Sequence, residues 1–323
     1  MSLPLALGHS TGSLADTRAG NDTPSIPELA IALRDASRGE RQLAFRCIPR
    51  GGGLPFLGAL EKRAANPFAI QQGDSPLCGP AAFLFCVAKS YPDVYRRYVL
   101  ELALFGRARL GSLEVTPSRA CRETLLDPWY TNPVDWIALA SLRDSTNRVL
   151  SMSSPGASAA GITMPGVMQA WFHRSGLFSQ IEDHTSLFGG ESLDSLLHAD
   201  RKHRQGAYVC MLVRASILGR VDGELGTKLG KDTPKTIAPT PDHWIVQTTP
   251  ISLEHPDGPI SLDTAVARGD MDPLELPLHF AVHSWGDGGK ALAVSSRIKP
   301  MTARKFLPCF YGFVSAMPQG TGQ

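Results

Sequence analysis

The sequence predicts an α+β fold in which a mainly helical segment, residues 27–205, precedes a mainly β segment, residues 206–323. Apolar residues at helical spacing and helix-start residues dominate the first segment, whereas short runs of β-branched and aromatic residues dominate the second. Helices first and strands second differ from the strand–helix alternation of a doubly wound sheet. We therefore expect a single domain in which helices pack on an antiparallel sheet.

Composition narrows the class of protein. Of the 323 residues, 43% are apolar and 19% charged, as in ordinary folded globular proteins. The 32 lysines and arginines nearly balance 30 acidic residues, so no field that recruits nucleic acid is expected. The apolar runs of the sequence are far shorter than the ~20 residues that cross a bilayer. We therefore expect neither a nucleic-acid partner nor a membrane span.

Residues 1–26 are rich in Gly, Ser, Thr, Asp and Pro, and they are predicted to form a flexible leader. The first ten residues, MSLPLALGHS, lack the basic region and the long apolar stretch of a Sec signal. We therefore expect the protein in a bacterial cytoplasm before export, and secretion without a Sec signal.

The helices of the first segment follow from apolar spacing, capping residues and proline in the first turn. They are predicted at 27–36, at 57–65, from Cys78, from Pro92, and in VDWIALASLRD, MPGVMQAWFHRSG and ESLDSLLHADRKHR. Strands are predicted in AYVCMLV, HWIVQTTPISL, LHFAVHSWG, ALAVSSR and FYGFVSA, which Gly, Pro and Asp separate.

One cysteine differs from the others in its neighbours. The six cysteines are Cys47, Cys78, Cys86, Cys121, Cys210 and Cys309. They show no CxxC pair and no short disulfide framework, so reduced thiols are expected. Cys78 follows a polar turn and begins a predicted helix, whose unpaired N–H groups and dipole favour a thiolate. Cys78 is therefore the candidate nucleophile.

Three pieces of the sequence resemble the papain-like cysteine peptidase superfamily. Gln72 precedes Cys78 by six residues, the interval at which that superfamily places an oxyanion-binding glutamine. The segment PTPDHWIV resembles its base motif, in which a histidine opens a strand, and HSWG resembles its Asn-Ser-Trp-Gly motif on the following strand. The resemblance implies a helical half, carrying the nucleophile helix, packed on a C-terminal antiparallel sheet.

The resemblance also implies roles for the matched residues. Cys78 would attack an amide carbonyl, and the Gln72 side chain and the Cys78 backbone N–H would hold the oxyanion. His243 would take up and return the proton. His283 would orient His243 through a hydrogen bond, with Asp287 as the alternative orienting residue.

Other positions match the superfamily in part. Two residues would support the site. Trp285 would shield the hydrogen bond of His243 from water, and Gly79 directly follows Cys78. Cys-Gly-Pro at 78–80 is closer to bacterial C39-like peptidases and secreted toxins than to papain. His283 in place of asparagine resembles the Cys-His-His arrangement of NlpC-type cell-wall peptidases.

The function implied by the resemblance is a thiol peptidase or amidase that forms a thioester acyl-enzyme, in a secreted effector toxin similar to those of type VI secretion. Its substrate would be a protein or a peptidoglycan peptide in a target cell. A cognate immunity protein and a component of the secretion machine would be its partners. A glutamine deamidase or transglutaminase-type acyl transferase on the same scaffold is one alternative, and a non-catalytic binding protein on a decayed papain-like fold is another.

No metal site and no cofactor are predicted. His198 and His203 lie five residues apart in a predicted helix, a spacing that does not align two ligands. His173, His184 and His255 lack partners at metal-ligand spacing in the sequence.

Overall fold

A computed structural model describes most of the chain. The described residues are 23–39, 43–73, 75–127, 131–146, 163–187, 190–218, 241–285, 289–295 and 300–320. Helices and strands are both abundant in these residues, which confirms the α+β class. Of the predicted leader, residues 1–22 lie outside the described residues.

Four helices form the first layer: α1 (Ile26–Arg38), α2 (Gly53–Ala65), α3 (Cys78–Ser90) and α4 (Pro92–Phe105). Ser25 begins α1 with a capping box, in which its hydroxyl and the Glu28 carboxylate each pair with a backbone N–H of the other. All residues of α3 up to Ala88 are buried. A helix that is apolar on all sides belongs in a core, and α3 is the central helix of this layer.

Six further helices follow: α5 (Arg119–Glu123), α6 (133–146), α7 (Pro165–Ser175), α8 (Leu193–Arg204), α9 (Leu262–Arg268) and α10 (Ala303–Phe306). Asn132 caps α6 by accepting the N–H of Val134. The middle of α6, Trp136–Ala140, is π-helical and completely buried.

Eleven strands in the described residues form three antiparallel sheets. The hairpin β1 (Ala108–Leu110) and β2 (Leu113–Val115) is the smallest. The largest sheet has the order β10-β9-β5-β4-β11-β3, with β3 (Phe178–Asp183), β4 (Tyr208–Val213), β5 (His243–Gln247), β9 (Ala281–His283), β10 (Leu292–Ala293) and β11 (Phe310–Pro318). The third has the order β7-β6-β8, with β6 (Ser252–His255), β7 (Gly258–Ser261) and β8 (Leu278–His279).

Each face of the six-stranded sheet has its own core. Leu212, Trp244 and Val246 pack with the first helical layer, and we call their side the α3 face. Met211 and Ile245 point the opposite way and pack with α8, α10 and the β6–β8 sheet, on what we call the α8 face. This division follows from the two-residue repeat of a strand, which sends successive side chains to opposite faces.

The predicted helices and strands in the described residues are present. The division at residue 206 is not strict, because β1, β2 and β3 lie before it and α9 and α10 lie after it. β3 pairs with β11 at one edge of the sheet, so distant pairing stabilises this strand. No helix of the described residues is long and apolar enough to cross a membrane.

Candidate active site

Cys78 is the first residue of α3, and its thiol is buried against the end of β5. The backbone N–H groups of Trp244, Gly79 and Cys78 itself direct hydrogen bonds at the sulfur, which lower the pKa of the thiol. Burial has the larger and opposite effect, and it raises the pKa of Cys78 to about 11. The thiol is therefore protonated at neutral pH, although three donors are already placed to stabilise an anion.

A cavity of about 50 Å³ opens beside Cys78 and is lined by Thr163, Leu212, Asp242 and Trp244 among others. The indole N–H of Trp244 donates to the Thr163 carbonyl at 2.9 Å, which fixes one wall. Gly79 allows this packing, because a Cβ at that position would collide with the side chain of Thr163. The requirement for glycine after the nucleophile is thus steric.

Two charged side chains lie near the thiol. The carboxylate of Asp242 raises the pKa of Cys78, because it repels a thiolate, and it also accepts the N–H of Ala215 at 2.7 Å. Arg143, on α6, is buried, and burial lowers the pKa of its guanidinium, while the charge of Cys78 raises it. Neither residue is singled out by the sequence motifs.

His243 is the first residue of β5, and its ring lies on the α8 face. Its Nε2 shares a hydrogen bond of 2.7 Å with the hydroxyl of Ser284. The ring of Trp285 stacks on it with a centroid distance of 4.5 Å and an interplanar angle of 16°. Burial lowers the pKa of His243 to about 3, so the imidazole is neutral at neutral pH.

The structure brings Cys78 into contact with the backbone that follows His243 but not with its ring. The backbone N–H of Trp244 lies near the sulfur, and the Trp244 side chain packs on the α3 face. Strand alternation therefore places the side chain of His243 on the opposite face. Within the described residues, no hydrogen bond joins the Cys78 thiol to the His243 imidazole. The described residues therefore show Cys78 and the His243 ring on opposite faces of the sheet and not as a pair.

The orienting role of His283 stays a prediction, and the structure shows no hydrogen bond between its ring and that of His243. His283 pairs with Val246 on β5, three residues from His243, and its ring stacks on Phe85 at a centroid distance of 4.3 Å. Both ring nitrogens are buried without a hydrogen-bond partner. Ser284, the next residue, points to the other face and contacts His243 instead. The HSWG motif thus supplies a hydrogen-bond partner for His243. This partner is Ser284, one position after His283, to which the resemblance assigns the role.

The remaining predicted residues are Trp285, Gln72 and Asp287. Trp285 covers His243 as expected, although the hydrogen bond beside it is the one to Ser284. Gln72 is buried, and its backbone carbonyl oxygen accepts hydrogen bonds from both the N–H and the hydroxyl of Ser75. The oxyanion role of its side chain stays a prediction. Asp287 lies outside the described residues.

Four residues of the site were missed by sequence reasoning. Asp242 is exposed, and it also lines the cavity beside Cys78. Ser284 was visible inside the HSWG motif, so the motif held the necessary signal. Thr163 and Arg143 reach the site through packing of segments far apart in sequence, which the sequence did not signal.

One group of side chains in the described residues has the arrangement of metal ligands. Glu182 on β3, His184 just after it and His198 on α8 each place a ligand atom within 4.8 Å of the others. The sequence prediction of no metal site compared His198 with His203 on the same helix. It overlooked a pairing between a helix and a sheet edge.

The chain was also compared with known proteins. No family model, no curated protein and no solved structure gives a significant match to this sequence or its fold.

Proposed function

We propose that the protein is a papain-like thiol hydrolase, a peptidase or amidase whose nucleophile is Cys78. The observation that carries this proposal is the position of Cys78 as the first residue of a buried helix, where neighbouring backbone N–H groups lower the pKa of its thiol. Such donors stabilise a thiolate and, after attack, the charge that develops beside it.

In this proposal His243 is the base, and its ring exchanges Ser284 for Cys78 when substrate enters. Because the ring lies on the opposite face of the sheet, this exchange requires the start of β5 to move together with the side chain. Proton transfer from thiol to imidazole then produces the nucleophilic thiolate. The thiolate attacks the amide carbonyl, the imidazolium protonates the leaving amine, and water releases the acyl group from the thioester.

The proposed biological setting is a bacterial effector toxin, exported without a Sec signal by a machine of the type VI kind. Its target is a protein or a peptidoglycan peptide, and its producer is protected by a cognate immunity protein. Glutamine deamidation or acyl transfer uses the same thioester and differs in the side chain attacked or in the final nucleophile. Product analysis separates these outcomes: a new peptide terminus for hydrolysis, ammonia for deamidation, or a new amide for transfer.

Alkylation of the cysteines tests the nucleophile directly. Iodoacetamide at pH 8, followed by peptide mass spectrometry, is expected to modify Cys78 faster than Cys309 in the presence of substrate-like peptides. Cys309 is the internal control, because among the six cysteines it is the only one that is not buried. Labelling that follows exposure alone would identify a non-catalytic binding protein and overturn the proposal.

Expression in bacteria tests the function. Wild-type protein is expected to arrest growth in one compartment, cytoplasm or periplasm, whereas Cys78→Ala and His243→Ala grow normally and Cys309→Ala remains toxic. Arrest only in the periplasm assigns peptidoglycan, and arrest in the cytoplasm assigns a protein substrate. Equal growth of wild type and Cys78→Ala in both compartments, at matched expression, contradicts the toxin proposal.

Loss of activity in Cys78→Ala with full activity in His243→Ala would retain the nucleophile and reject the proposed base. The carboxylate of Asp242, which lines the same cavity, would then be the base to examine. A pH profile distinguishes the two, because the rate would follow the titration of a carboxylate near the thiol instead of an imidazole.

A further inference from the structure

We propose that Glu182, His184 and His198 form a binding site for Zn²⁺ or a chemically similar transition-metal ion. The site lies where β3 at the edge of the six-stranded sheet meets α8. It is separate from Cys78, since α8 packs on the face of the sheet opposite α3.

The carboxylate of Glu182 joins the two imidazoles through a single oxygen. Oε2 lies 3.0 Å from Nε2 of His184 and 3.8 Å from Nε2 of His198. The two rings are close to each other, with a centroid distance of 4.5 Å and an interplanar angle of 65°. Two imidazole nitrogens and one carboxylate oxygen are thus directed at one small region, which is the donor set of many zinc sites with an open position.

The other carboxylate oxygen holds the ligand in place. Nζ of Lys202, one turn after His198 on α8, donates to Oε1 of Glu182 at 2.5 Å. This leaves Oε2 available to the histidines and fixes the orientation of the carboxylate. Side chains that orient a metal ligand through a hydrogen bond are common in metal sites of proteins.

The floor of the proposed metal site is a buried aromatic ring. The ring of Phe313, on β11, lies 5.0 Å from the ring of His184 and 5.4 Å from that of His198. Phe313 itself is fully buried in the core of the α8 face. The apolar floor limits the directions in which both imidazoles can turn, so the ligand nitrogens stay on the same side.

The backbone around the site has an irregular geometry that places these ligands. Gln180 adopts a positive φ of 47°, and the register between β3 and β11 shifts at this point, just before Glu182. Gly312 has a φ of 86°, and a Cβ there would collide with the carbonyl of His184. Only glycine allows so close an approach, so the position of His184 depends on it.

The chemistry selects the class of ion. Imidazole nitrogen suits Zn²⁺, Co²⁺ and Ni²⁺, whereas Ca²⁺ and Mg²⁺ prefer sites made of oxygen atoms. The three ligands are partly exposed, with side-chain exposures of 36% for Glu182, 38% for His184 and 40% for His198. A bound ion therefore keeps coordination positions open to water, or to a donor group from another molecule.

Calorimetric titration of the full chain with Zn²⁺ tests the site. We expect one saturable event in wild type, and affinity that is at least about tenfold lower in His184→Ala, His198→Ala and Glu182→Gln. His279→Ala is the matched control, because His279 also faces one carboxylate, that of Glu254 at 3.2 Å, outside this cluster. Cys78→Ala is expected to bind Zn²⁺ as wild type does, whatever its effect on activity.

Co²⁺ supplies a second readout that does not depend on activity or folding assays. Visible d–d bands that disappear in His198→Ala, without a thiolate charge-transfer band in the near ultraviolet, are expected. A strong thiolate band would place the metal on a cysteine and overturn the proposal. Equal Zn²⁺ affinity in wild type, His184→Ala and His198→Ala would do the same.

Discussion

His283 and His243 lie on neighbouring strands of the same sheet, one on the α3 face and the other on the α8 face. Both are buried, with 2% and 3% of their surface exposed, and burial lowers the pKa of each to about 3. The proximity of His243 contributes further to the lowered pKa of His283. Their surroundings nevertheless differ in one decisive respect: His243 has a hydroxyl partner, whereas His283 has only aromatic rings around it.

This difference shows how each face limits chemistry. On the α3 face, Phe85 and Phe68 pack on His283, and no side chain of the described residues is a hydrogen-bond partner of its ring nitrogens. On the α8 face, the Ser284 hydroxyl and the Trp285 ring hold the His243 ring in a defined orientation. An imidazole held in this way can take part in proton transfer once it reaches a thiol, and an enclosed one cannot.

The largest expected effect comes from emptying the apolar packing over His283. Phe85→Ala is expected to lower the free energy of unfolding by about 3–5 kcal/mol, because the ring is buried between Phe68 and His283. Urea unfolding followed by circular dichroism measures it. Phe105→Ala, at a ring that is 49% exposed on α4, is the control and should change stability by less than about 1 kcal/mol. Similar losses in both variants would show that the α3 face is not tightly packed there.

Acidification is expected to have the next largest effect. In the folded state both histidines stay neutral down to about pH 3, whereas in the unfolded chain they take up protons below about pH 6.5. Between about pH 6.5 and pH 3 the unfolded state therefore binds more protons than the folded state. The free energy of unfolding is highest above this range and falls as the pH is lowered through it. Between pH 7 and pH 5 each histidine contributes a loss on the order of 2 kcal/mol.

The variant His283→Phe isolates one of these two contributions. Its stability should fall by roughly 2 kcal/mol less than that of wild type between pH 7 and pH 5, measured by urea unfolding at each pH. His173→Phe, at an exposed histidine of α7, should retain the full wild-type loss. An unchanged pH dependence in His283→Phe would mean that this imidazole is hydrated or paired in solution.

The sequence predicts the elements that carry these two histidines, but not the faces on which they lie. Helix-start chemistry at Cys78 and the apolar run after His243 are local signals, and both elements are present. The face of each side chain depends on the register between β5 and β9, where Val246 pairs with His283. A shift of one residue would exchange the faces, and the order of motifs along the chain contains no information about such a shift.

The same limit applies to the cluster around Glu182. Its ligands come from a strand within the segment predicted to be mainly helical, and from a helix whose two histidines do not align as a ligand pair. Pairing of β3 with the distant β11 places them together. Local patterns describe each element well, whereas contacts between elements decide which polar side chains meet.

The smallest expected effect concerns the charge beside the nucleophile on the α3 face. The Asp242 carboxylate raises the pKa of Cys78, so Asp242→Asn should lower that pKa and increase the rate of iodoacetamide labelling at pH 8 by about threefold, or roughly half a pKa unit. Asparagine retains an oxygen that can accept the N–H of Ala215, so the local fold should persist.

The control for this measurement is Asp257→Asn, which removes an equal charge from an exposed carboxylate paired with Arg268. It should leave the labelling rate of Cys78 unchanged. A slower rate in Asp242→Asn would reverse the assignment and make this carboxylate an activator of the thiol. In that case the two faces would exchange roles: the base would lie with Cys78 on the α3 face, and His243 would serve only to pack Trp285 against the α8 face.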